Sequence, residues 1–495
     1  MKESKLQWWI LATVIIGTFL GRLDQTIVNL ALPQMIDYFG ISVSAAGWIA
    51  TAYILANAVF VPIWGKLGDT IGRKKVYVIG FVVFIIGSVL AGLSWNLSSM
   101  IVFRVLQAIA SSADYPTAMA ILAVTFRDSK ARAQALGIWS SSFAAASVFG
   151  PLIGGPLIDS FGWRSVFLVN LPVGLIGLAM ALAFIDESVS EKKTVKFDWW
   201  GASTLGGSLA ALVLVLDKGL DWGWLSGNSI ITYICIIGFS IAFYFVEKTH
   251  PEPIVDFKFF KIPVFNHTLL NNFIVFMGLL GSIFLIPIFA QTFLGMDATQ
   301  SGYLFIPMAF TMVVAAPLGV KLIGRVEARY IIFASTAVSA LGMFLFTMLD
   351  PRSGSLTIII PLGIMAFGMG FGMSQRTTII ANVVPHDEIG VASSILALAR
   401  NIAGAFGIAI FGTILQNATK AKLAAISLYS SVHSHSPVVI KQAIALISLK
   451  AQISAYNAVF ITSGVLVAIG AILSFWIKMD KEETGKTKDA EVFAE

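Results

Sequence analysis

Long apolar stretches, each bounded by short polar or charged segments, run along almost the whole chain. A helix that crosses a bilayer core of about 30 Å needs about 20 consecutive apolar residues. Fourteen stretches reach that length: 8–32, 46–64, 76–95, 100–124, 131–157, 163–184, 199–216, 229–247, 266–290, 301–322, 330–349, 357–382, 390–415 and 454–477. Lipid offers backbone amides no hydrogen-bond partner, so such stretches are expected as helices. The alternating strands of a membrane barrel are about half as long and far less apolar. The first stretch follows only Lys2, Glu3 and Lys5, lacks a small-residue cleavage site and contains Arg22 and Asp24. It reads as a retained helix and not as a signal peptide.

Charge then orients the helices. With the N-terminus placed inside and the loops alternating, 23 lysines and arginines fall inside and 7 outside, while Arg22, Arg104 and Arg400 lie within spans. Arg376 is assigned to an inner loop in this tally. The bias predicts both termini in the cytoplasm. It also explains the net charge of +6 without a nucleic-acid partner. Composition agrees: 57% of the 495 residues are hydrophobic, 12% are charged and mean hydropathy is +0.85. These values exclude a soluble enzyme or a disordered chain. The one cysteine, Cys235, leaves no intramolecular disulfide and no cysteine metal site. The pair His433 and His435 does not make a metal site, and no cofactor motif is present; no G-x-x-x-x-G-K-S/T loop points to an ATP-driven pump.

Two charged linkers, 185–198 and 248–264, bracket the seventh and eighth stretches, giving a plan of six, two and six helices. The expected divisions are an N-terminal six-helix bundle at 1–184, a linker with the inserted pair at 185–264, a C-terminal six-helix bundle at 265–478, and a cytoplasmic tail at 479–495. Each bundle has a basic loop between its second and third helices, GKLGDTIGRKK at 65–75 and GVKLIGRVEAR at 319–329. In the outer loop 416–453, the stretch VVIKQAIALISLKAQ reads as an amphipathic helix lying on the outer surface or covering the bundle mouth.

The segment 65–75 fits G-x-x-x-D-x-x-G-R-K/R-K/R, with Gly65, Asp69, Gly72 and Arg73 at the defining positions. It resembles the signature loop of the major facilitator superfamily, although Thr70 stands where a basic residue is usual. The resemblance implies a conformational latch that does not touch substrate. RVLQAIASSADYP at 104–116 resembles the family's R-x-x-Q-G pattern through Arg104 and Gln107, with Ala108 in place of glycine. ASVFGPLIGGP at 146–156 resembles the motif of the superfamily's exporters through Gly150, Pro151, Gly154 and Gly155. Together with LDQTIVNLALP at 23–33, GWRSVFLVNLPVG at 162–174 and ARNIAGAFGIAIFGTIL at 399–415, these segments resemble the fourteen-helix drug:proton antiporter family over about residues 10–478.

The resemblance implies an all-α membrane protein with the major facilitator fold. It implies proton-coupled export of hydrophobic or cationic drugs across a bacterial-type inner or cytoplasmic membrane by alternating access. The partners implied are a small-molecule substrate, protons and the lipid bilayer, for a chain working as a monomer. Some relatives move amphipathic lipids, fatty acids or metabolites, and that alternative stays open.

Ionisable residues inside spans are costly and mark function. Five stand out: Arg22, Asp24, Arg104, Asp114 and Arg400. At 1.5 Å per residue, Asp24 lies about 22 Å from the inner boundary and Arg104 about 24 Å, so the two are expected to pair. Asp114 lies about 9 Å from the inner side. Asp24, Asp114 and Arg104 are the proton-coupling candidates, and a structural ion pair is the competing reading. Asp24 and Asp114 can also meet a cationic substrate. Arg400 has no acid in its own half; carbonyls near Gly404 and Gly407, or Asp69 or Asp114, are its candidate partners. Gln107, Asn271, Phe276, Phe367, Met369 and Met373 are candidates for the remainder of the pocket, since aromatic and methionine side chains accept varied shapes.

Overall fold

The computed structural model describes residues 2–126, 129–188, 198–251, 253–322, 325–384, 389–429 and 437–478. Among them, regular structure is helical throughout. The elements are α1 (Lys2–Phe39), α2 (Val43–Ile71), α3 (Arg73–Gly92), α4 (Leu97–Ser111), α5 (Asp114–Thr125), α6 (Ser129–Phe161), α7 (Ser165–Leu168), α8 (Asn170–Phe184), α9 (Trp199–Trp222) and α10 (Gly227–Thr249). They continue with α11 (Pro263–Phe293), α12 (Ala298–Tyr303), α13 (Phe305–Val320), α14 (Ala328–Leu345), α15 (Ser355–Asn382), α16 (Ile389–Tyr429) and α17 (Pro437–Leu473).

Twelve helical stretches among the described residues are long and apolar enough to cross a membrane. Two of the fourteen sequence-derived stretches are not among them. The stretch 100–124 is divided at Ser112 and Ala113 into α4 and α5. Pro116 accounts for the division, because its ring removes a donor and crowds the carbonyl of the residue four before it. The stretch 131–157 falls within α6, many of whose side chains are outside the described set.

The outer segment departs from the sequence reading. α16 runs on to Tyr429 and α17 starts at Pro437, so 437–451 is the first part of a 37-residue helix and not a separate surface helix. His433 and His435, the tail 479–495 and most of the linker 185–198 lie outside the described residues.

The chain divides into two compact units. The first holds 1–41, 48–257 and 296–309, and so includes α1, α3–α10 and α12. Its core packs Val14, Leu20, Phe81, Phe84, Leu122 and Trp139. Glycines let its helices approach closely: a side chain at Gly87 would run into the backbone of Gln107, one at Gly154 into Ile27, and one at Gly155 into the backbone of Thr299. The inserted helices α9 and α10 pack on one another within this unit. The second unit holds 42–47, 258–295 and 310–495. Here α11 lies against α16 with Gly281 facing Gly407 backbone to backbone, and α14 lies against α15 at Gly342 and Gly368.

Candidate functional site

In the first unit, α1, α3, α4 and α8 each contribute one or two polar side chains to a buried network. Arg104 of α4 donates from Nη1 to Asp24 Oδ2 of α1 at 2.5 Å. Asp24 is 0% exposed and Arg104 2%. The other carboxylate oxygen, Oδ1, accepts from Gln107 Nε2 at 2.9 Å and from Asn170 Nδ2 at 3.0 Å. Gln107 returns its own oxygen to Arg104 Nη1 at 2.6 Å, and its amide also reaches Ser88 Oγ at 2.7 Å. The guanidinium lies over the Tyr53 ring, 4.1 Å from its centroid, and Nε donates to Ile49 O at 3.4 Å. Burial of this pair is tolerable because each charge meets its opposite and the remaining lone pairs find amide donors.

Local sequence explains the placement. Arg104 and Gln107, three residues apart, share a face of α4, so one helix presents the cation and its amide together. Asn170 opens α8 just past the four-residue α7, which carries its side chain inward to Asp24. Asn170 and Ser88 were not singled out in the sequence. Neutral polar residues in a span carry no charge signal, and the only pointer to Asn170 was its position in the 162–174 segment.

Asp114 occupies a separate position. It is the first residue of α5 but makes no side-chain cap there. Its Oδ2 instead accepts from Thr18 Oγ1 of α1 at 2.6 Å, and Trp139 of α6 donates to Thr18 Oγ1 at 2.8 Å. A cavity of about 30 Å³ adjoins it, lined by Gly17, Tyr77, Phe81, Ser111 and Asp114. That is room for a water molecule or two. Gly17 keeps the space open, since an added methyl group would meet both the Tyr77 hydroxyl and Asp114 Oδ1. Arg22 donates from Nη1 to Gln25 Oε1 at 3.1 Å, one turn along the same helix.

The basic loop is organised by a residue the sequence reading passed over. Gly72 has φ 112°, a conformation glycine adopts without strain. The Glu187 carboxylate seats against it and accepts from the backbone N–H groups of Lys74 at 3.1 Å and Lys75 at 3.2 Å, at the start of α3. An acid at a helix N-terminus is favourable both for the dipole and for the orphan donors. Arg73 N donates to Ser188 O at 3.0 Å. The surroundings of Gly65 and of the Asp69 side chain lie outside the described residues.

The exporter-like segment packs as small residues allow. Gly150 and Gly154 of α6 face Thr26 and Ile27 of α1, and Pro151 O lies against Gly302. Past it, Asp159 accepts from Ala298 N at 3.1 Å, Thr299 N at 2.9 Å and Thr299 Oγ1 at 2.5 Å.

In the second unit, Asn271 is fully buried, donates to Gly470 O at 2.5 Å and accepts from Arg376 Nε at 2.8 Å. Arg376 is therefore inside α15 and buried, not in a loop as the charge tally placed it. It sits close to the end of a span, where hydropathy alone cannot separate a loop cation from one turned inward. Phe276 is buried under Arg400, whose guanidinium carbon is 4.7 Å from the ring centroid. Phe367 stacks on Phe371 at 5.8 Å, and Met369 and Met373 are half-buried on the same helix.

Apolar spans enclosing a carboxylate–guanidinium pair, with a second acid beside a small cavity, define a multi-pass membrane protein of the transporter class. The family model described as Major Facilitator Superfamily matches residues 14–408, and the chain belongs to that family. It is 31% identical to the Multidrug transporter protein MdtP of Bacillus subtilis (strain 168), covering 99% of this chain and 96% of that one. It is 29% identical to the Multidrug resistance protein Stp of Mycobacterium tuberculosis (strain CDC 1551 / Oshkosh), covering 83% and 76%. A bacterial homolog to the human lysosomal transporter Spinster shares the fold, with a TM-score of 0.68 at 16% identity over 96% of this chain and 99% of that one.

Proposed function

We propose that the protein is a proton-coupled antiporter that exports hydrophobic or cationic drugs across the cytoplasmic membrane by alternating access. In this reading the chain has fourteen transmembrane helices in a 6+2+6 order with both termini in the cytoplasm, and works as a monomer. The observation that carries it is the Asp24–Arg104 pair, a titratable carboxylate wholly enclosed in a network of four helices. The names of the relatives support the substrate class.

Asp24 is the proposed proton carrier. When it takes up a proton, its attraction for the guanidinium falls, and Arg104 Nη1 already holds a neutral acceptor in Gln107 Oε1. The pair can therefore loosen without stranding the cation, and the change in charge can be felt on α1, α3, α4 and α8 at once. Asp114, held by the Thr18 hydroxyl and bordering the cavity, is the proposed counter-charge for cationic substrates. Gly65, Asp69, Gly72 and Arg73 form the proposed cytoplasmic latch, and Gly150, Pro151, Gly154 and Gly155 the packing seam of the antiporter motif.

The test is ethidium movement in inverted membrane vesicles under an imposed proton gradient. Uptake that collapses with the gradient and is absent from Asp24→Asn vesicles is expected. Ethidium movement that survives collapse of the gradient overturns the coupling.

A further inference from the structure

Arg104, Gln107, Ser111 and Asp114 follow one another at spacings of three, four and three, which sets them along one side of α4 and the start of α5. Gly17, Gly21 and Asp24 run along α1 at spacings of four and three. The cavity of about 30 Å³ lies where the two rows face, with Gly17 and Gly21 on one side and Ser111 and Asp114 on the other. A side chain at Gly21 would meet Ser111 Cβ.

The polar groups around this space are arranged for one more partner. Asp114 Oδ1 is buried and has no hydrogen-bond partner among the described residues, whereas Oδ2 accepts from Thr18. Ser111 Oγ accepts from Tyr53 Oη at 2.7 Å and from Asn57 Nδ2 at 3.0 Å, and donates to Ala108 O of its own helix at 3.1 Å. Rotation of that hydroxyl turns its proton into the cavity. Tyr77 also lines the cavity, and its hydroxyl donates over long distances to Thr13 O at 3.4 Å and Val14 O at 3.5 Å. An unmet carboxylate oxygen and two hydroxyl groups around a space of this size meet the needs of a buried water, which takes two to four polar partners. Tyr53 connects this corner to the ion pair. Its side chain is buried, its hydroxyl is on Ser111, and its ring lies under the Arg104 guanidinium, 4.1 Å from centroid to Cζ.

We propose that the cavity holds an ordered water that accepts from Ser111 Oγ and donates to Asp114 Oδ1, and that Ser111 and Tyr53 are positioning residues through which Asp114 acts on the Asp24–Arg104 pair. The donors then point one way, from Tyr53 through Ser111 and the water to the carboxylate, so each bond polarises the next. A proton or a cationic group arriving at Asp114 cancels the charge at the end of the chain, and the charge-assisted bonds weaken back to the ring beneath Arg104. Other ionisable groups at this corner are Arg22 of α1, whose charge acts on Asp114, Tyr77 of α3, and Tyr115 of α5, which interacts with Arg22. The proposal deepens the export reading and rests on it only in calling Asp24 the proton carrier. The water and the chain are tested in purified protein with no transport step.

The experiment records infrared difference spectra of the purified full-length protein between acidic and alkaline pH, in ordinary water and in oxygen-18 water. Wild type is expected to show an isotope-sensitive band of bound water and a carboxyl band that Asp114→Asn removes. Ser111→Ala, which removes the donor, and Gly17→Ala, which fills the space, should each lose the water band. Ser111→Thr keeps the hydroxyl and should retain it. Tyr53→Phe keeps the ring under Arg104 and removes the first donor of the chain, so the Asp114 carboxyl band should shift while the water band stays. In membrane vesicles, Tyr53→Phe should lose drug-induced proton release. A wild type lacking either band, a water band that survives Ser111→Ala, an Asp114 band unmoved in Tyr53→Phe, or wild-type proton release from Tyr53→Phe overturns the proposal. Failure of the export reading has a different mark: ethidium movement by the wild type that ignores the gradient, with the spectra as expected.

Discussion

Arg104 reaches Asp24 across 80 positions of sequence, Nη1 to Oδ2 at 2.5 Å, with both side chains sealed from solvent. The relationship makes the two residues interdependent. Removing the cation leaves a charge with amide donors alone, whereas neutralising the acid leaves the cation with Gln107 and the Tyr53 ring.

Arg104→Ala is accordingly expected to lower stability by about 3–5 kcal/mol, the cost of stranding a buried charge. Asp24→Asn should be milder and should still reach the membrane. The double Asp24→Asn/Arg104→Ala variant should recover part of the loss. Thermal unfolding of the purified variants decides the point: a double variant no more stable than Arg104→Ala alone shows that the pair contributes nothing. In transport, Asp24→Asn is expected to lose gradient-driven efflux and drug-induced proton release. Wild-type efflux from this variant would move the carrier to Asp114.

Asp114→Asn is expected to reduce export of cationic substrates more than of neutral ones, because only the former lose a counter-charge. Thr18→Val, which removes the 2.6 Å hydrogen bond without removing the charge, should fall between wild type and Asp114→Asn. Efflux rates for a matched cationic and neutral dye provide the ratio. Equal losses for both classes would leave Asp114 with a proton-only or structural part.

Gly72→Ala is expected to destabilise by about 1–3 kcal/mol, since alanine is strained at φ 112° and its methyl group would overlap the Glu187 carboxylate. Turnover should slow while substrate affinity stays near wild type, and Asp69→Asn and Arg73→Ala should act in the same direction. Paired measurements of binding and initial efflux rate check this. A many-fold loss of affinity with unchanged turnover would place the loop in the substrate path.

Gly154→Val should push α6 away from Ile27 of α1, at an overpacking cost of about 1–3 kcal/mol. Leu152→Val, at an exposed position of the same helix, should stay within about 0.5 kcal/mol of wild type. Thermal midpoints of the two variants, read together, separate the packing seam from a general sensitivity of α6; equal shifts would deny the seam any special part.

The sequence by itself determined the helical character of the chain and most of its spans, because crossing lipid is a local requirement on runs of about 20 residues. It also indicated the Asp24–Arg104 pair, since chain direction and a fixed rise per residue set the depth of a buried charge. The break between α4 and α5 and the unbroken run from Pro437 into α17 were decided elsewhere. The first follows from a proline whose effect depends on what packs beside it, and the second from a polar-faced helix that simply continues. Tertiary structure alone seated Asn170 and Ser88 against the ion pair, Glu187 on the start of α3, and Asp159 on Ala298 and Thr299. It alone turned Arg376 inward to Asn271 and Thr336. Neutral amides and hydroxyls leave no mark on hydropathy or charge patterns, and a cation near a helix end satisfies topology whether it faces water or protein. Only the packing of distant helices decides which way such a side chain points.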